Sequence, residues 1–313
     1  MKRIRVIRGW KDLTEGDRGA AVAMGSFDGV HLGHQRVIGL AARAAANLGA
    51  PLGVITLDPH PRAYFRPDEP LFRLMKPDQQ ARALEKLGVD MLYVLPMDAE
   101  LAEMTDRAFA AEVLHQGLDA RHVAVGFDNS FGKNRTGSPQ AMRAYGQEMG
   151  FGVSVADPVG DLDGDKFSST AVRDALRDGK PEVAAEILGR PFAVEGPVQR
   201  GRQLGRKLGF PTANVDMGDY VSPRFGVYAT RTRLSDGRVV PGVANIGVNP
   251  TVQGITRPLL EVWLFDFDED IYDRIIETSL IAFLRPEEKF DGLETMTEQV
   301  MRDAAQARAL LGA

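Results

Sequence analysis

The 313-residue chain contains no cysteine. Disulfide bonds, thiol catalysis and cysteine-ligated zinc or iron–sulfur centres are therefore excluded. The sequence also has no run of 18 apolar residues, and no apolar stretch of signal-peptide length follows its basic N-terminus. These absences predict a cytoplasmic protein that does not associate with a membrane.

Neither sign of charge dominates, because 38 Lys and Arg stand against 43 Asp and Glu, a formal net charge of −5. This balance argues against the coating of duplex nucleic acid. A barrel that binds single strands would need interleaved basic and aromatic residues, and no such stripe occurs. We therefore expect no nucleic-acid partner. The length, with 44% hydrophobic and 26% charged residues, predicts two globular domains.

In the first half, from residue 20 to about 189, short apolar segments alternate with helix-like segments. This alternation predicts an α/β domain, with helices on both faces of a mainly parallel sheet. The predicted strands are residues 20–27, 51–57, 91–95, 122–126 and 152–156. The predicted helices are residues 33–48, 78–87, 106–115, 140–148 and 169–178.

After Gly189 the pattern changes to alternating strands separated by glycine and proline. Strands are predicted at residues 226–234, 238–246, 260–267 and 279–284, with an Asp236-Gly237 turn between the first two. Apolar residues at helical intervals predict a closing helix at residues 293–311. A small antiparallel β-barrel with a terminal helix is the simplest architecture. The predicted domains are residues 1–187 and 188–313.

The strongest local motif is GSFDGVHLGH, at residues 25–34, where the first predicted strand leads into a helix. Its glycines permit tight turns, and the free N–H groups of a helix start can bind phosphate. His31 and His34 are three residues apart, so both imidazoles can project from one side of the helix start and stabilise phosphate charge. The alternative is a turn with two surface histidines.

Two further segments supply groups of the same chemistry. Ser168-Ser169-Thr170, followed by Arg173, stands at a loop-to-helix junction, where hydroxyls and a guanidinium can hold phosphate or simply cap the helix. His60 lies in the DPHP segment after the second predicted strand. Three of the five histidines thus follow neighbouring predicted strands, which favours one shared site.

The second half carries GRKLGFPTAN at residues 205–214. Thr212 and Asn214 offer hard oxygen donors of the kind that Mg²⁺ prefers. The glycines at positions 196, 201, 205 and 209 could wrap a nucleotide. The alternative is an ordinary loop of the barrel.

Together with GVANIG at 242–247, Glu261 and LRPEEKF at 284–290, these segments resemble the bifunctional riboflavin kinase/FMN adenylyltransferases, also called prokaryotic FAD synthetases. The resemblance runs from about residue 22 to 303 and includes the HxGH and SSTxxR signatures of nucleotidylyltransferases. It implies an N-terminal Rossmann-like nucleotidylyltransferase domain and a C-terminal six-stranded riboflavin-kinase barrel. It further implies Mg²⁺ as cofactor and riboflavin, FMN, FAD, ATP, ADP and pyrophosphate as substrates and products.

The resemblance also implies residue roles. Glu261 would be the kinase base, Thr212 and Asn214 the Mg²⁺ pair, and Arg285, His60 and Asp128 flavin contacts. His31, His34 and Arg173 would serve adenylyl transfer. The implied nucleotide and phosphate ligands are Gly25, Phe27, Asp28, Gly29, Gly33, Ser168, Ser169, Thr170, Gly196, Gly201, Lys207 and Gly209.

Five residues depart from the family pattern. Ser26 stands in place of Asn, and Asn129-Ser130 in place of an aromatic and a basic residue. Trp263 stands in place of His, and Asn249 in place of Arg. Two alternatives therefore stay open: an enzyme that has kept one of the two activities, and a noncatalytic flavin-binding regulator.

Overall fold

The computed structural model describes residues 3–69, 72–160, 166–201, 205, 208–250 and 256–313, with side chains omitted at 249, 250, 256 and 257. The chain divides into two compact units. The first comprises Met1–Pro70 and Pro77–Ser168, and the second comprises Leu71–Lys76 and Ser169–Ala313. Each unit contains one six-stranded sheet. Lys207 lies outside the described residues.

The first unit is built on a wholly parallel sheet in the order β1-β4-β3-β2-β5-β6. Its strands are β1 Arg5–Arg8, β2 Ala21–Met24, β3 Leu52–Asp58, β4 Met91–Pro96, β5 His122–Gly126 and β6 Gly152–Ala156. Its helices are α1 Leu32–Leu48, α2 Pro61–Phe65, α3 Pro77–Lys86, α4 Ala99–Glu103, α5 Asp106–Ala108, a π-helix Phe109–Gly117 and α6 Pro139–Met149. Short 3₁₀ turns occupy Glu15–Asp17 and Lys133–Arg135. The predicted α/β architecture is confirmed.

The order of these strands places a topological switch beside β2. From β2 the chain proceeds to β3 and β4 on one side, and then returns to β5 and β6 on the other. All four residues of β2 are buried, as expected for the centre of a parallel sheet covered on both faces. Ligands of open α/β sheets bind outside the carboxyl ends of the strands at such a switch. The loops that follow β2 and β5 both leave the sheet at this edge.

The second unit begins with α7 Ser169–Arg177 and α8 Pro181–Leu188 and continues into an antiparallel sheet of order β7-β12-β9-β10-β11-β8. The strands are β7 Ala193–Pro197, β8 Thr212–Asp216, β9 Gly226–Arg233, β10 Val239–Pro250, β11 Thr256–Leu264 and β12 Ile275–Pro286. An isolated bridge from Gln199 to Asn214 joins the segment after β7 to β8, so the sheet nearly closes into a barrel.

The terminal helix, Leu293–Leu311, packs on the barrel through its small and apolar face. Ala304, Ala307 and Leu311 form a buried cluster with side chains of β9, β10 and the segment after β11. The predicted closing helix is confirmed at the residues where the apolar periodicity placed it. Within the described ranges, no helix is long and apolar enough to cross a membrane.

Three strands escaped the sequence interpretation. β1 has four residues, of which three are exposed, so it carries little of the apolar pattern that marks a strand. β7 contains a glycine and a proline, and β8 begins within the GRKLGFPTAN segment, for which the sequence predicts no strand. Both barrel strands are stabilised by pairing with distant partners, β12 and β11, rather than by their local sequence.

We expect Leu114→Ala to destabilise the first unit by about 2–5 kcal/mol, because Leu114 is fully buried in its core and the substitution leaves a cavity. Urea denaturation followed by circular dichroism measures the change. The control is Leu48→Ala on the surface of α1, where the side chain is 46% exposed and we expect a change within about 0.5 kcal/mol. Equal effects of the two variants would contradict the described core.

Candidate functional site

The turn between β2 and α1 holds most of the GSFDGVHLGH motif in a strained conformation. Phe27 and Val30 adopt positive φ values of 50° and 43°, which are unusual for residues other than glycine. Three side chains stabilise the strained turn by donating hydrogen bonds to its backbone carbonyl groups. Thr56 and Gln80 donate to the carbonyl of Ser26, Gln80 also donates to that of Phe27, and Gln35 donates to that of Val30.

The two histidines of this turn pack face to face. Their ring centroids are 3.6 Å apart, and the ring of Phe27 lies 5.1 Å from that of His34. His31 is the N-cap of α1, and its Nδ1 accepts a hydrogen bond from the backbone N–H of His34 at 3.3 Å. His31 and Asp28 are both buried, with 6% and 5% of their surface exposed. The turn is therefore more than a surface loop with two solvated histidines.

Gly33 makes this stacking possible. A Cβ atom at this position would lie 3.0 Å from two atoms of the His31 ring and 3.3 Å from the carbonyl oxygen of Phe167. These separations are shorter than ordinary van der Waals contact, so a side chain would push the imidazole away. Gly25 packs against the ring of Phe27, and Gly29 adopts a left-handed φ of 85°.

The loop after β5 presents Phe127 and Asp128 to solvent. The ammonium of Lys166 lies 4.7 Å from the centre of the Phe127 ring and forms an ion pair with Asp128. Since Phe167 approaches Gly33, residues 166–167 contact both this loop and the histidine turn. The predicted flavin contact Asp128 and the predicted phosphate-binding histidines thus belong to one cluster of loops in the first unit. The Oδ1 of Asn129 in this loop is buried and has no hydrogen-bond partner among the described residues.

His60 follows β3 at the same edge of the sheet. It caps α2, and its Nδ1 accepts a hydrogen bond from the backbone N–H of Arg62 at 3.1 Å. The preceding Asp58-Pro59 peptide bond is cis. The role of His60 as a flavin contact stays a prediction.

The SSTxxR segment lies where the chain passes from one unit to the other. Ser168 is the last residue of the first unit, and Ser169 and Thr170 open α7 of the second. Arg173 is 6% exposed; its Nε donates to the carbonyl of Phe72 at 2.7 Å, and its guanidinium lies 5.1 Å from the Phe72 ring. The sequence interpretation placed this arginine on a phosphate and had no signal for its contact with Phe72.

The second unit contains a cavity of about 430 Å³ at the barrel. Among the residues singled out in the sequence, those that line it include Gly201, Gly205, Thr212, Asn214, Glu261 and Arg285. Aromatic and apolar side chains supply much of the remaining wall, including Phe210, Trp263, Phe290 and Met296. A pocket of this size with a few convergent polar groups is typical of a small-molecule site.

Strand register brings the polar groups of the cavity together. Glu261 on β11 is paired directly with Asn214 on β8 and with Asn245 on β10. Directly opposed residues of antiparallel strands project from the same face, so the three side chains form one row. Thr212, two residues from Asn214, is on the same face and lies opposite Trp263. The amide of Asn245 donates to Glu287 at 3.1 Å.

Thr212 and Asn214 fit the requirements of a Mg²⁺ ion in donor chemistry. Both carry neutral oxygen atoms, both line the cavity, and Glu261 adds a carboxylate beside Asn214. Gly201 leaves room for Asn214, because a Cβ atom on Gly201 would lie 2.5 Å from its Nδ2. Among the described residues, no group of three His, Asp or Glu side chains could bind a metal by itself.

Arg285, at the end of β12, is bound firmly to the terminal helix. Its guanidinium donates to Asp303 through Nε at 2.9 Å and Nη2 at 2.7 Å, and the pairing raises the pKa of Arg285. Its Nη1 donates to the carbonyl of Pro286, and the ring of Phe290 lies 5.7 Å away. The side chain is 16% exposed.

The two remaining described glycines lie outside the cavity lining. Gly196 is on β7, where a Cβ atom would lie 2.7 Å from Val215. Gly209 adopts a φ of 91° in the turn before Phe210. Their roles as nucleotide ligands stay predictions.

Sequence reasoning gave no role to several side chains that shape these sites. Gln35, Thr56 and Gln80 hold the histidine turn, and Asn245 and Asp303 line the cavity. Asn245 lies inside the GVANIG motif, and that motif could have indicated its place in the cavity wall. Gln80 and Asp303 lie in ordinary amphipathic helices, where no spacing distinguishes a polar residue that contacts other parts of the protein from a solvated one.

The comparisons with known proteins cover both units. The family model for FAD synthetase matches residues 13–171, and that for riboflavin kinase matches residues 188–311. A bifunctional riboflavin kinase/FMN adenylyltransferase of Pseudomonas fluorescens is 39% identical over 98% of each chain. This chain belongs to that family.

Other relatives agree with this membership. The enzyme of the same name from Escherichia coli K12 is 36% identical over 99% of this chain and 98% of its own. A solved structure described as a macrolide-efflux protein of Streptococcus pneumoniae has a TM-score of 0.86 and 30% identity, over 98% of this chain and 99% of that one. The description of that structure differs from the activity for which the two enzymes are named.

We expect Gly33→Ala to displace the imidazole of His31 and thereby to separate the stacked rings. Two-dimensional NMR of the histidine ring resonances measures this, and only five histidines need to be assigned. The control is Gly39→Ala in the same helix, where a Cβ atom would meet nothing within 4 Å and alanine should stabilise the helix by up to about 1 kcal/mol. Unshifted His31 resonances in Gly33→Ala would contradict the described packing.

Proposed function

We propose that this chain phosphorylates riboflavin to FMN in its C-terminal domain and adenylylates FMN to FAD in its N-terminal domain, with ATP as the donor in both reactions. The observation that carries the proposal is the cavity in the second unit, where Thr212, Asn214, Glu261 and Arg285 converge. The proposed domains are residues 1–187 for adenylyl transfer and 188–313 for the kinase. The need for ATP in both steps supports a cytoplasmic location.

In the kinase step, the ribityl 5′-hydroxyl of riboflavin attacks the γ-phosphorus of ATP. A new O–P bond forms, the bond between the γ-phosphorus and the bridging oxygen breaks, and ADP leaves. Glu261 accepts the hydroxyl proton, which is the role of a carboxylate positioned beside a nucleophile. Its place between Asn214 and Asn245 fixes the carboxylate in the row of polar groups.

Mg²⁺ would be held by Thr212 and Asn214 and would neutralise charge on the ATP phosphates. Two neutral protein oxygens leave most of the coordination sphere to phosphate and water, as is common for Mg²⁺. Arg285, fixed at one side of the same cavity, would contact the flavin. Gly201, Lys207 and Gly209 are proposed nucleotide ligands, together with Gly196.

In the adenylyl step, a phosphate oxygen of FMN attacks the α-phosphorus of ATP. The new anhydride bond forms as the bond to the β-phosphate breaks, so FAD and pyrophosphate are produced. No protein nucleophile is needed, and catalysis consists of positioning and charge stabilisation. His31 and His34 would bind the triphosphate at the start of α1, where the helix dipole also favours an anion.

The remaining residues of the first reaction are proposed on their chemistry. Ser168, Ser169, Thr170 and Arg173 would bind phosphate, while Gly25, Phe27, Asp28, Gly29 and Gly33 would form the turn around it. His60 and Asp128 would contact the flavin. The contact of Lys166 and Phe167 with both the Asp128 loop and the Gly33 turn supports a shared site for flavin and nucleotide.

We expect the purified, flavin-free protein to convert riboflavin, ATP and Mg²⁺ first into FMN and then into FAD. Chromatographic separation of the flavins over time measures both products. Chelation of the metal should stop FMN formation, since both Thr212 and Asn214 are neutral ligands that cannot replace its charge. Tight flavin binding without conversion would overturn the enzymatic proposal and favour a regulator, while one product alone would identify a single retained activity.

We expect Glu261→Gln to lower the rate of FMN formation by at least about 100-fold, because the amide cannot accept the proton. The same variant should adenylylate added FMN at the wild-type rate. His31→Ala should show the reverse, with FAD formation reduced at least about tenfold through lost charge stabilisation and FMN formation unchanged. Loss of both reactions in both folded variants would contradict the assignment of one reaction to each unit.

A further inference from the structure

Asp303 is a buried carboxylate in the wall of the proposed kinase cavity. It lies on the terminal helix, only 3% of its surface is exposed, and it lines the cavity together with Arg285. A charge so thoroughly removed from water must be paired and hydrogen-bonded. Its partners are the guanidinium of Arg285 on β12 and the side-chain amide of Gln299, one helical turn earlier.

The geometry of this contact fixes the plane of Arg285. Nε and Nη2 meet the carboxylate together, Nε lying 2.9 and 3.1 Å from the two carboxylate oxygens and Nη2 lying 2.7 Å from Oδ2. Gln299 donates to Oδ1 at 2.9 Å, so a second side chain helps to hold the carboxylate. A side chain gripped in this way has lost its rotational freedom before any ligand arrives, and that lowers the cost of binding.

Arg285 has hydrogen-bond donors that its contacts with Asp303 and Pro286 do not use. A guanidinium carries five N–H groups. The contacts with Asp303 use Nε–H and one hydrogen of Nη2, and the carbonyl of Pro286 uses one hydrogen of Nη1. The carboxylate of Glu288 lies 3.8 Å from Nη1, an ion-pair contact beyond hydrogen-bond distance. Among the hydrogen bonds described, one N–H on each Nη is therefore unused, at a cavity wall that also carries Phe290. Two adjacent donors beside an aromatic ring suit a planar heterocycle with carbonyl or imine acceptors.

We propose that Asp303 and Gln299 are positioning residues for the flavin. They orient Arg285 so that its remaining N–H groups meet acceptor atoms of the isoalloxazine ring. The terminal helix is thereby part of the riboflavin site. This inference rests on the proposed kinase function and deepens it, because it places flavin recognition in a contact between the barrel and the helix that follows it.

A second ion pair between the same helix and the barrel supplies a matched control. Arg308 forms a bidentate pair with Asp266 at 2.8 and 2.9 Å. Neither residue lines the cavity, and the side chain of Asp266 is 79% exposed. If the Asp303 contact only fastened the helix to the barrel, its removal would lower stability without a selective change in KM for riboflavin, whereas loss of the exposed Asp266 pair should change little in either quantity.

The experiment measures steady-state kinetics of FMN formation in wild type, Asp303→Asn and Asp266→Asn. We expect Asp303→Asn to raise KM for riboflavin about tenfold, as expected for a charged hydrogen-bond network of this kind, while kcat and KM for ATP stay within about threefold. Asp266→Asn should leave all three constants at wild-type values. Adenylylation of added FMN should be unchanged in both variants.

A double-mutant cycle separates positioning from structural support. If Asp303 acts through Arg285, then Arg285→Gln/Asp303→Asn should have the same KM for riboflavin as Arg285→Gln alone, within about twofold. If the two residues acted independently, the fold-increases in KM for riboflavin of the two single variants would multiply in the double variant. The double variant also leaves no unpaired buried charge, so it stays informative if Asp303→Asn folds poorly. Gln299→Ala is a milder test, with an expected rise in KM for riboflavin of about threefold from one lost hydrogen bond.

The outcomes are distinct. An unchanged KM for riboflavin in folded Asp303→Asn, multiplying effects in the cycle, or an equal response of Asp266→Asn would each overturn the inference. A wild-type protein that forms no FMN would instead overturn the proposed kinase function. A selective rise in KM for riboflavin that disappears in the Arg285→Gln background would establish the positioning role.

Discussion

The proposed chemistry of the second unit depends on the pairing of β11 between β8 and β10. That register sets Glu261 beside Asn214 on one side and Asn245 on the other. Because side chains alternate between the two faces of a strand, a slip of one residue would turn Glu261 away from the cavity. The apolar residues between these positions, including Val215, Ile246 and Val262, are buried and oppose such a slip. The core of the barrel thus maintains this row of polar side chains.

The first unit relies on a different constraint, which is close packing in a strained turn. Phe27 and Val30 adopt left-handed backbone conformations, and the His31 ring packs against the space that Gly33 leaves empty. Strain of this kind persists only where the surroundings over-determine it. Here, Gln35, Thr56 and Gln80 bind the carbonyl groups of the turn from α1, β3 and α3. Two elements distant in sequence therefore help to prepare the proposed phosphate site.

Two of the residues that depart from the family pattern, Trp263 and Ser26, have contacts that the structure describes. Trp263 lines the cavity opposite Thr212 and lies 5.8 Å from the Phe210 ring, so it adds aromatic surface to the wall. Ser26 donates no side-chain contact to the turn among those described, yet its carbonyl accepts from both Thr56 and Gln80. The shape of the turn is held through its backbone, and this explains how it tolerates a change of side chain at Ser26.

The amino-acid sequence by itself determined the α/β and β architecture, the central strands, the terminal helix and the identity of both motifs. These features are local, since apolar periodicity and turn residues are read within a few positions. Tertiary structure alone decided that β7 and β8 are strands, that Arg173 contacts Phe72, and that Asp303 reaches Arg285. Each of these depends on partners between 18 and 101 residues away, whose meeting is fixed by strand pairing and core packing. No pattern within one segment records such a meeting.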